Sequence, residues 1–153
     1  MQIEIYNMTV LNDKLNISLE AVCDSFSSLL WDIEYYKCGE FEVYIAASSR
    51  NIEIFQTGRI VGRDDDKDHF GLIESIELET DSEDGDYLII KGRFLMCLLE
   101  RRIIYPTLNF TSQTSYGAIV QKAVESNALT SGNRLIPGCL LYTSPSPRDR
   151  SVS

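Results

Sequence analysis

The most informative stretch of this chain is Gly92-Arg93-Phe94-Leu95-Met96-Cys97-Leu98-Leu99-Glu100-Arg101-Arg102-Ile103-Ile104. A strand-like run precedes it and stops at Gly92, a residue that tolerates backbone angles other residues avoid. Leu95, Leu98 and Leu99 then recur at helical spacing and predict one apolar helix face. The stretch therefore predicts a strand that ends in a short helix packed on a sheet.

The start of the chain predicts a hairpin. Ile3 to Val10 alternates apolar and polar residues but changes parity near Tyr6-Asn7, which is typical of a strand with a β-bulge. Asn12-Asp13 supplies turn residues, and a second alternating run follows. These two runs are expected to pair.

The clearest strand pair follows that hairpin. Its two arms are joined by a turn at Lys37-Cys38-Gly39-Glu40, and a period of two in both arms predicts one buried face. The apolar positions on that face are Leu29, Trp31, Ile33, Tyr35, Phe41, Val43 and Ile45. Ser49 is then a suitable N-cap for a short helix through Phe55.

Two further strands are predicted, one between two acidic loops and one after the second loop. The first loop covers residues 64–69, and Leu72 to Glu79 returns as a strand with Ile76 and Leu78 facing inward. The second loop covers residues 81–86, and the strand before Gly92 pairs back. Solvated hairpin tips explain the acidity of both loops.

About seven short strands with frequent turns favour a mainly β fold with short helices, arranged as an antiparallel barrel or sandwich. We assign this β-rich domain to residues 1–105. Beyond Pro106 the strand-like alternation gives way to a polar segment. Residues 106–138 are expected to begin a second domain that contains a helix over 116–126.

Residues 139–153 are predicted to be foreign to the protein. Cys139-Leu140-Leu141-Tyr142-Thr143-Ser144-Pro145-Ser146-Pro147-Arg148-Asp149 is the in-frame translation of a transposase-type sequencing-library adapter. A natural Ser/Pro-rich flexible tail is the alternative. Under the adapter interpretation the chain is a gene fragment whose own sequence stops near Gly138, so the segment is left out of the fold argument.

Charge and hydropathy disfavour several functional classes. The formal net charge is −9, and no basic stripe of the kind that binds a phosphate backbone is present, so we expect no nucleic-acid partner. No apolar run approaches the roughly 20 residues that span a bilayer, and the N-terminus lacks the blocks of a signal peptide. We expect no membrane span.

The cysteines suggest a protein assembled in a reducing cytoplasm. Cys23, Cys38 and Cys97 precede the suspect tail, and none of them forms a C-x-x-C pair. Reduced thiols are therefore expected instead of disulfides. A zinc site would need closer cysteine pairs or more histidines, so we expect no metal.

No catalytic constellation emerges from the remaining residues. The alternating aspartates of residues 64–68 lack the glycine and glutamate positions of a calcium-binding EF-hand loop. His69 is the sole histidine, and its charged surroundings predict an exposed loop residue. The carboxylate pairs Asp32/Glu34 and Glu77/Glu79 fall on polar strand faces. We therefore expect a protein that is not an enzyme and that holds no cofactor.

Arg101 and Arg102 admit two interpretations. Cations at a helix end favour the exposed carbonyls and can pair with a nearby glutamate, which needs no partner molecule. Arginine is also enriched in protein interfaces, so the pair can contact another subunit.

Three segments, in order along the chain, carry a resemblance to a known family. They are the hairpin Trp31–Ile45, the strand Gly71–Leu78 with its following acidic turn and Gly92-Arg93, and the later stretch Asn133–Gly138. Together with the Leu-rich turn and the Arg-Arg pair, they resemble siphophage tail proteins of the tail-tip or baseplate-hub type. The resemblance covers most of residues 1–138.

The resemblance implies a structural virion protein, with a β-rich hub domain that assembles into a ring at the distal end of the tail. It implies self-association, commonly as a homotrimer, contacts with other tail proteins, and assembly in the bacterial host cytoplasm. The residues it marks as motif or subunit-interface candidates are Gly39, Phe41, Gly92, Arg93, Arg101 and Arg102.

Two other functions stay open at this point. The chain can be the N-terminal hub segment of a tail-associated peptidoglycan hydrolase whose catalytic domain lies beyond Gly138. It can also be an unrelated acidic β-domain that binds a partner in a bacterial cytoplasm. A downstream peptidase domain would favour the first, and a stable monomer without affinity for tail-tube protein would favour the second.

Overall fold

The structure of the chain is a computed structural model that describes residues 1–11, 14–81, 85–100 and 107–128. The chain divides into two compact units, Met1–Cys97 and Leu98–Ser153. The predicted domain boundary near Pro106 lies outside the described residues, and a separate domain over 106–138 stays a prediction.

The described residues form seven strands and three helices. They are β1 (Ile3–Leu11), β2 (Lys14–Cys23), β3 (Ser28–Asp32), β4 (Glu40–Ala46), α1 (Ser49–Ile54), β5 (Ile60–Arg63), β6 (Asp66–Asp81), β7 (Gly85–Phe94), α2 (Cys97–Glu100) and α3 (Tyr116–Ala128). The mainly β fold with short helices is confirmed.

The strands form one antiparallel sheet in the order β2-β1-β5-β6-β7-β4-β3. Within the described residues, β2 pairs only with β1 and β3 only with β4, so the sheet has two edges. The predicted barrel is therefore not supported, because closure of a barrel requires the first and last strands to pair.

The open sheet nevertheless bends around its own core. β3 and β5 lie four positions apart, which would separate them by about 19 Å in a flat sheet. Instead, the Arg63 guanidinium lies 5.6 Å from the Trp31 ring centre. Trp31 also donates a hydrogen bond from Nε1 to Asp66 Oδ2 at 3.1 Å. This bending matches the sandwich-like alternative of the prediction.

The core occupies the inner face of the bent sheet. Six strands contribute to it, and α1 adds little beyond its C-terminal cap residue, so the sheet covers most of its own apolar face. The buried cluster consists of Ile3, Ile5, Cys23, Phe41, Val43, Ile45, Phe55, Val61, Ile73, Leu88 and Ile90.

Two local predictions are confirmed. The register between β1 and β2 shifts between Ile5 and Tyr6, where the parity change predicted a bulge. The short helix forms as expected, but its N-cap is Ser48, one residue earlier than predicted, and the Ser48 Oγ accepts a hydrogen bond from the Asn51 N–H at 3.1 Å.

Other positions depart from the sequence pattern. β3 ends at Asp32, so Ile33 and Tyr35 are exposed instead of continuing the buried face. Leu78 is also exposed, at 63%. Among the described residues, β5 pairs with β6 only as far as Ile60↔Leu72, and the later part of β6 pairs with β7 alone.

The helix after β7 begins later than predicted. β7 continues to Phe94, so α2 begins only at Cys97, and the buried residues are Phe94 and Cys97. The three leucines of the predicted apolar face are only partly buried. In the second unit, α3 contains the predicted helix 116–126, although Val120, expected to face inward, is exposed.

Candidate interaction surface

Phe41 lies across two glycines of neighbouring strands. It pairs with Gly92 in the β4–β7 register and is 2% exposed. A Cβ on Gly92 would overlap the carbonyl oxygen of Leu72 and lie 2.8 Å from the Phe41 ring, and a Cβ on Gly71 would overlap the same ring. The two glycines therefore leave the space that the aromatic ring fills.

Gly39 has a similar role at the end of β7. A Cβ there would overlap the carbonyl oxygen of Asp32 and lie 3.0 Å from the Phe94 ring. The Phe94 N–H donates to the Gly39 carbonyl at 3.0 Å, and the Cys38 thiol donates to the Phe94 carbonyl at 3.0 Å. These contacts hold the segment between β3 and β4 next to the end of β7.

Arg93 lies on the opposite, outer face of the sheet. Its Nε and Nη2 each donate to the Glu74 carboxylate at 2.9 Å, in a bidentate arrangement across β7 and β6. Hydrogen bonding to Glu74 raises the pKa of Arg93 above its ordinary value. Because the pair is partly exposed, it adds little stability and instead holds the guanidinium in one orientation.

A groove of about 320 Å³ runs over this outer face. Its walls include Leu30, Glu42, Glu74, Lys91 and Arg93. Lys91 bridges Glu77 at 3.1 Å and Glu42 at 3.8 Å, so charges of opposite sign alternate across β4, β7 and β6. The result is a surface with fixed charges beside one exposed leucine.

The structure brings together only part of the predicted candidate set. Phe41, Gly92 and Arg93 all line the groove, with Phe41 filling the core beneath it. Gly39 supports the nearby connection, and Arg101 and Arg102 lie outside the described residues. A subunit-interface role for these residues stays a prediction.

A polar cluster that the sequence did not indicate joins β3 to the start of β6. The carboxylate of Asp66 accepts from Trp31 and lies 2.9 Å from Nδ1 of His69. His69 belongs to β6 and its side chain is 29% exposed, so its assignment to an exposed loop was wrong. The turn between β5 and β6 consists of Asp64 and Asp65, because Arg63 already pairs with Asp66. It is therefore shorter than the predicted loop over residues 64–69.

This cluster predicts a dependence of stability on pH. Burial raises the pKa of Asp66, but hydrogen bonds from His69, the Asp68 backbone and Trp31 outweigh burial and hold the pKa below its ordinary value. A carboxyl with a lowered folded pKa adds stability that is lost as the pH falls through that pKa. We therefore expect the free energy of unfolding to decrease when the pH is lowered below about 4, the region in which free aspartate titrates.

The variant Asp66→Asn tests the contribution. It is expected to be less stable by about 1 kcal/mol near neutral pH, because the hydrogen bonds to an ionised acceptor weaken. It is also expected to show a shallower loss of stability in acid than the parent. Urea unfolding at a series of pH values measures both effects, and parallel pH curves for the two proteins would contradict the assignment.

Exposed apolar side chains gather at the β3 edge of the sheet. Leu30 is 54% exposed, and Tyr35 and Tyr36, which follow β3, are 82% and 93% exposed. The two tyrosine rings contact each other edge to face at 4.8 Å. Exposed aromatic and apolar side chains near a sheet edge are candidates for protein interaction.

In the part of the chain that the structure describes, no three or more His, Cys, Asp or Glu side chains are grouped as metal ligands would be. No helix of that part has the length and apolar character needed to cross a membrane.

Comparison with known proteins gives one match. No curated protein and no solved structure matches the chain. A family model described as Siphovirus ReqiPepy6 Gp37-like protein matches residues 3–146. The matched range continues past Gly138 into the segment predicted to derive from an adapter, and that prediction stays untested. Because the match covers nearly the whole chain, this protein belongs to the siphovirus ReqiPepy6 Gp37-like family.

Proposed function

We propose that the chain is a structural component of a siphovirus tail tip or baseplate hub and has no catalytic role. It would contribute a β-rich domain to a ring at the distal end of the tail, with other copies and other tail proteins as its partners. Membership in a siphovirus protein family supports a phage role. The ordered tail-protein motifs of the sequence support the more specific location.

The observation that carries the assembly role is the exposed apolar edge of the sheet. A sheet edge offers unpaired backbone N–H and C=O groups, and isolated proteins usually protect such edges. Here one edge strand is followed by exposed Ile33, Tyr35 and Tyr36. A protein that works inside an assembly would cover these groups with its neighbours.

Labelling of intact phage particles tests the location. An antibody raised against the chain, applied to particles that carry this gene, is expected to mark the distal end of the tail in electron micrographs. Antibody adsorbed with the purified chain serves as the control. Labelling of the capsid, or of no part of the particle, would contradict the proposal.

The mass of the assembly tests the ring. A homotrimer would have three times the mass of the gene product present in the particle. Native mass spectrometry of the complex recovered from disrupted tails would show that mass or an integer multiple of it. A single copy per tail, measured against the tail-tube protein, would rule the ring out.

A further inference from the structure

The outer edge of β3 lacks three devices that commonly protect an edge strand, namely a proline, a lysine and a β-bulge. β3 has the sequence Ser28-Leu29-Leu30-Trp31-Asp32 and pairs with β4 over its whole length without a register shift. It contains no proline and no lysine, and no described residue pairs with its other side. Edges of this kind readily accept another strand.

The opposite edge of the sheet differs. β2 pairs with β1 through a register shift, and a bulge twists an edge away from further pairing. Its exposed residues include Glu20, whose carboxylate lies 3.9 Å from Arg59. Of the two edges, β3 is therefore the better site for strand addition.

The sequence of β3 is complementary to itself in the antiparallel direction. When Leu30 is placed opposite Leu30 of a second copy, Leu29 falls opposite Trp31, and Ser28 falls opposite Asp32. Leu29 and Trp31 face inward and are partly buried, whereas Ser28, Leu30 and Asp32 face outward. Residues that lie opposite each other in a strand pair share a face, so the three central residues meet apolar partners and the two end positions pair a serine with an aspartate.

We propose that two copies of this chain associate by antiparallel pairing of their β3 strands about a twofold axis at Leu30. Such a contact is isologous, because the same surface is used on both copies. It goes beyond the proposed ring: a twofold contact cannot close a threefold ring, and it would instead join a copy in one ring to a copy in another.

Charge favours this arrangement over the alternatives. In the antiparallel register the two Asp32 carboxylates lie about 14 Å apart along the strands, beyond the screening length of about 8 Å in physiological salt. A parallel, in-register pair would place them opposite each other, which is unfavourable.

Stacking of two copies through the outer sheet face is also disfavoured. The charged residues of β4, β6 and β7 on that face are mostly acidic, so two such faces would repel. They are Glu40, Glu42, Glu74, Glu77, Glu79, Lys91 and Arg93.

The contact is expected to be reversible. The paired strands are only five residues long, and the largest exposed side chains near them in sequence are Tyr35 and Tyr36. Two tyrosines offer roughly 300–400 Å² of surface, less than the roughly 800 Å² per partner of a stable interface. The pair should therefore form and dissociate with protein concentration.

Sedimentation of the full chain over a concentration series tests the proposal. We expect a monomer–dimer equilibrium for the parent. Leu30→Lys is expected to raise the dimer dissociation constant by about tenfold or more, because it places two like charges opposite each other at the axis. The fold should persist, since Leu30 is half exposed and pairs with Glu42 on β4.

The matched control is Leu19→Lys on the other edge strand, where Leu19 is 55% exposed. It should dimerise like the parent. If the parent sediments as a monomer at every concentration, or if Leu19→Lys abolishes the dimer while Leu30→Lys does not, the proposal is overturned.

Mixing of opposite charges tests the register. Leu30→Glu, made with Glu42→Gln to avoid a like-charge pair within one copy, should be monomeric alone. An equimolar mixture with Leu30→Lys should form a heterodimer, because the two charges then attract at the axis. A mixture that stays monomeric would overturn the Leu30-centred register.

Discussion

Gly92→Ala is expected to have the largest effect on stability of any small substitution in the first unit. The added methyl group would overlap the carbonyl oxygen of Leu72 and press on the Phe41 ring. Overpacking of a core costs about 3 kcal/mol at the upper end of the usual range. Because 1 kcal/mol shifts the Tm of a domain of this size by about 4–8 °C, Tm should fall by at least about 12 °C.

Thermal unfolding followed by circular dichroism measures this effect. Gly117→Ala is the matched control, since a Cβ at Gly117 meets no atom within 4 Å and alanine favours the helix α3. It should leave Tm unchanged or slightly raised. A Gly92→Ala protein that melts with the parent would show that β6 and β7 are not as close as the structure places them.

Alanine substitutions at the two glycines beneath Phe41 should differ in how far a smaller side chain at position 41 restores stability. At Gly71 the atoms in the way are side-chain atoms of Phe41 and Val61, whereas at Gly92 a backbone oxygen is also in the way. Phe41→Leu should therefore recover part of the stability lost in Gly71→Ala and little of that lost in Gly92→Ala. A double-mutant cycle in urea measures both coupling energies.

Trp31→Ala is expected to destabilise the same unit by about 3 kcal/mol, near the low end for removal of a large aromatic side chain. The ring contacts Phe41 and Phe94 at centroid distances of 5.7 and 4.8 Å. Its indole N–H also reaches Asp66 on β6. The substitution therefore removes the side chain that holds the edge strand β3 to the far part of the bent sheet.

Trp31→Phe separates packing from hydrogen bonding. It keeps an aromatic ring but loses the N–H, so a loss of about 1 kcal/mol is expected. Ile33→Ala, two residues along on the exposed connection, should change the unfolding free energy by less than about 0.5 kcal/mol. Equal destabilisation by all three variants in urea would argue against a bent sheet held at Trp31.

Part of the surface around Arg93 could be anticipated from the sequence. Alternation in β4 and β7 places Phe41 and Gly92 on one face and Arg93 on the other, and the structure follows that alternation. The groove itself could not be anticipated, because it depends on which strands lie side by side. Glu42 lies on β4, whereas Glu74 and Lys91 lie on β6 and β7, and α1 and β5 come between them in the chain.

The Trp31–Asp66–His69 cluster also could not be predicted from the sequence. Asp66 and His69 are three residues apart, and their charged surroundings predicted only a solvated, exposed loop. Trp31 lies 35 residues before Asp66 and meets it only because the sheet bends. A periodic pattern reports the face on which a residue lies, but it carries no information on the residues across the core.

The amino-acid sequence alone determined the β class, the first bulge, the short helix near Ser48 and the siphovirus family, because these depend on local periodicity, capping chemistry and motif order. Tertiary structure decided the strand order, the open edges, the ends of β3 and α2, and the groove beside Arg93. The physical reason is that each of these depends on contacts between segments distant in sequence, whose free energy no local pattern encodes. Leu78 illustrates the difference: its alternation predicts burial, but the absence of a neighbouring β5 residue leaves it exposed.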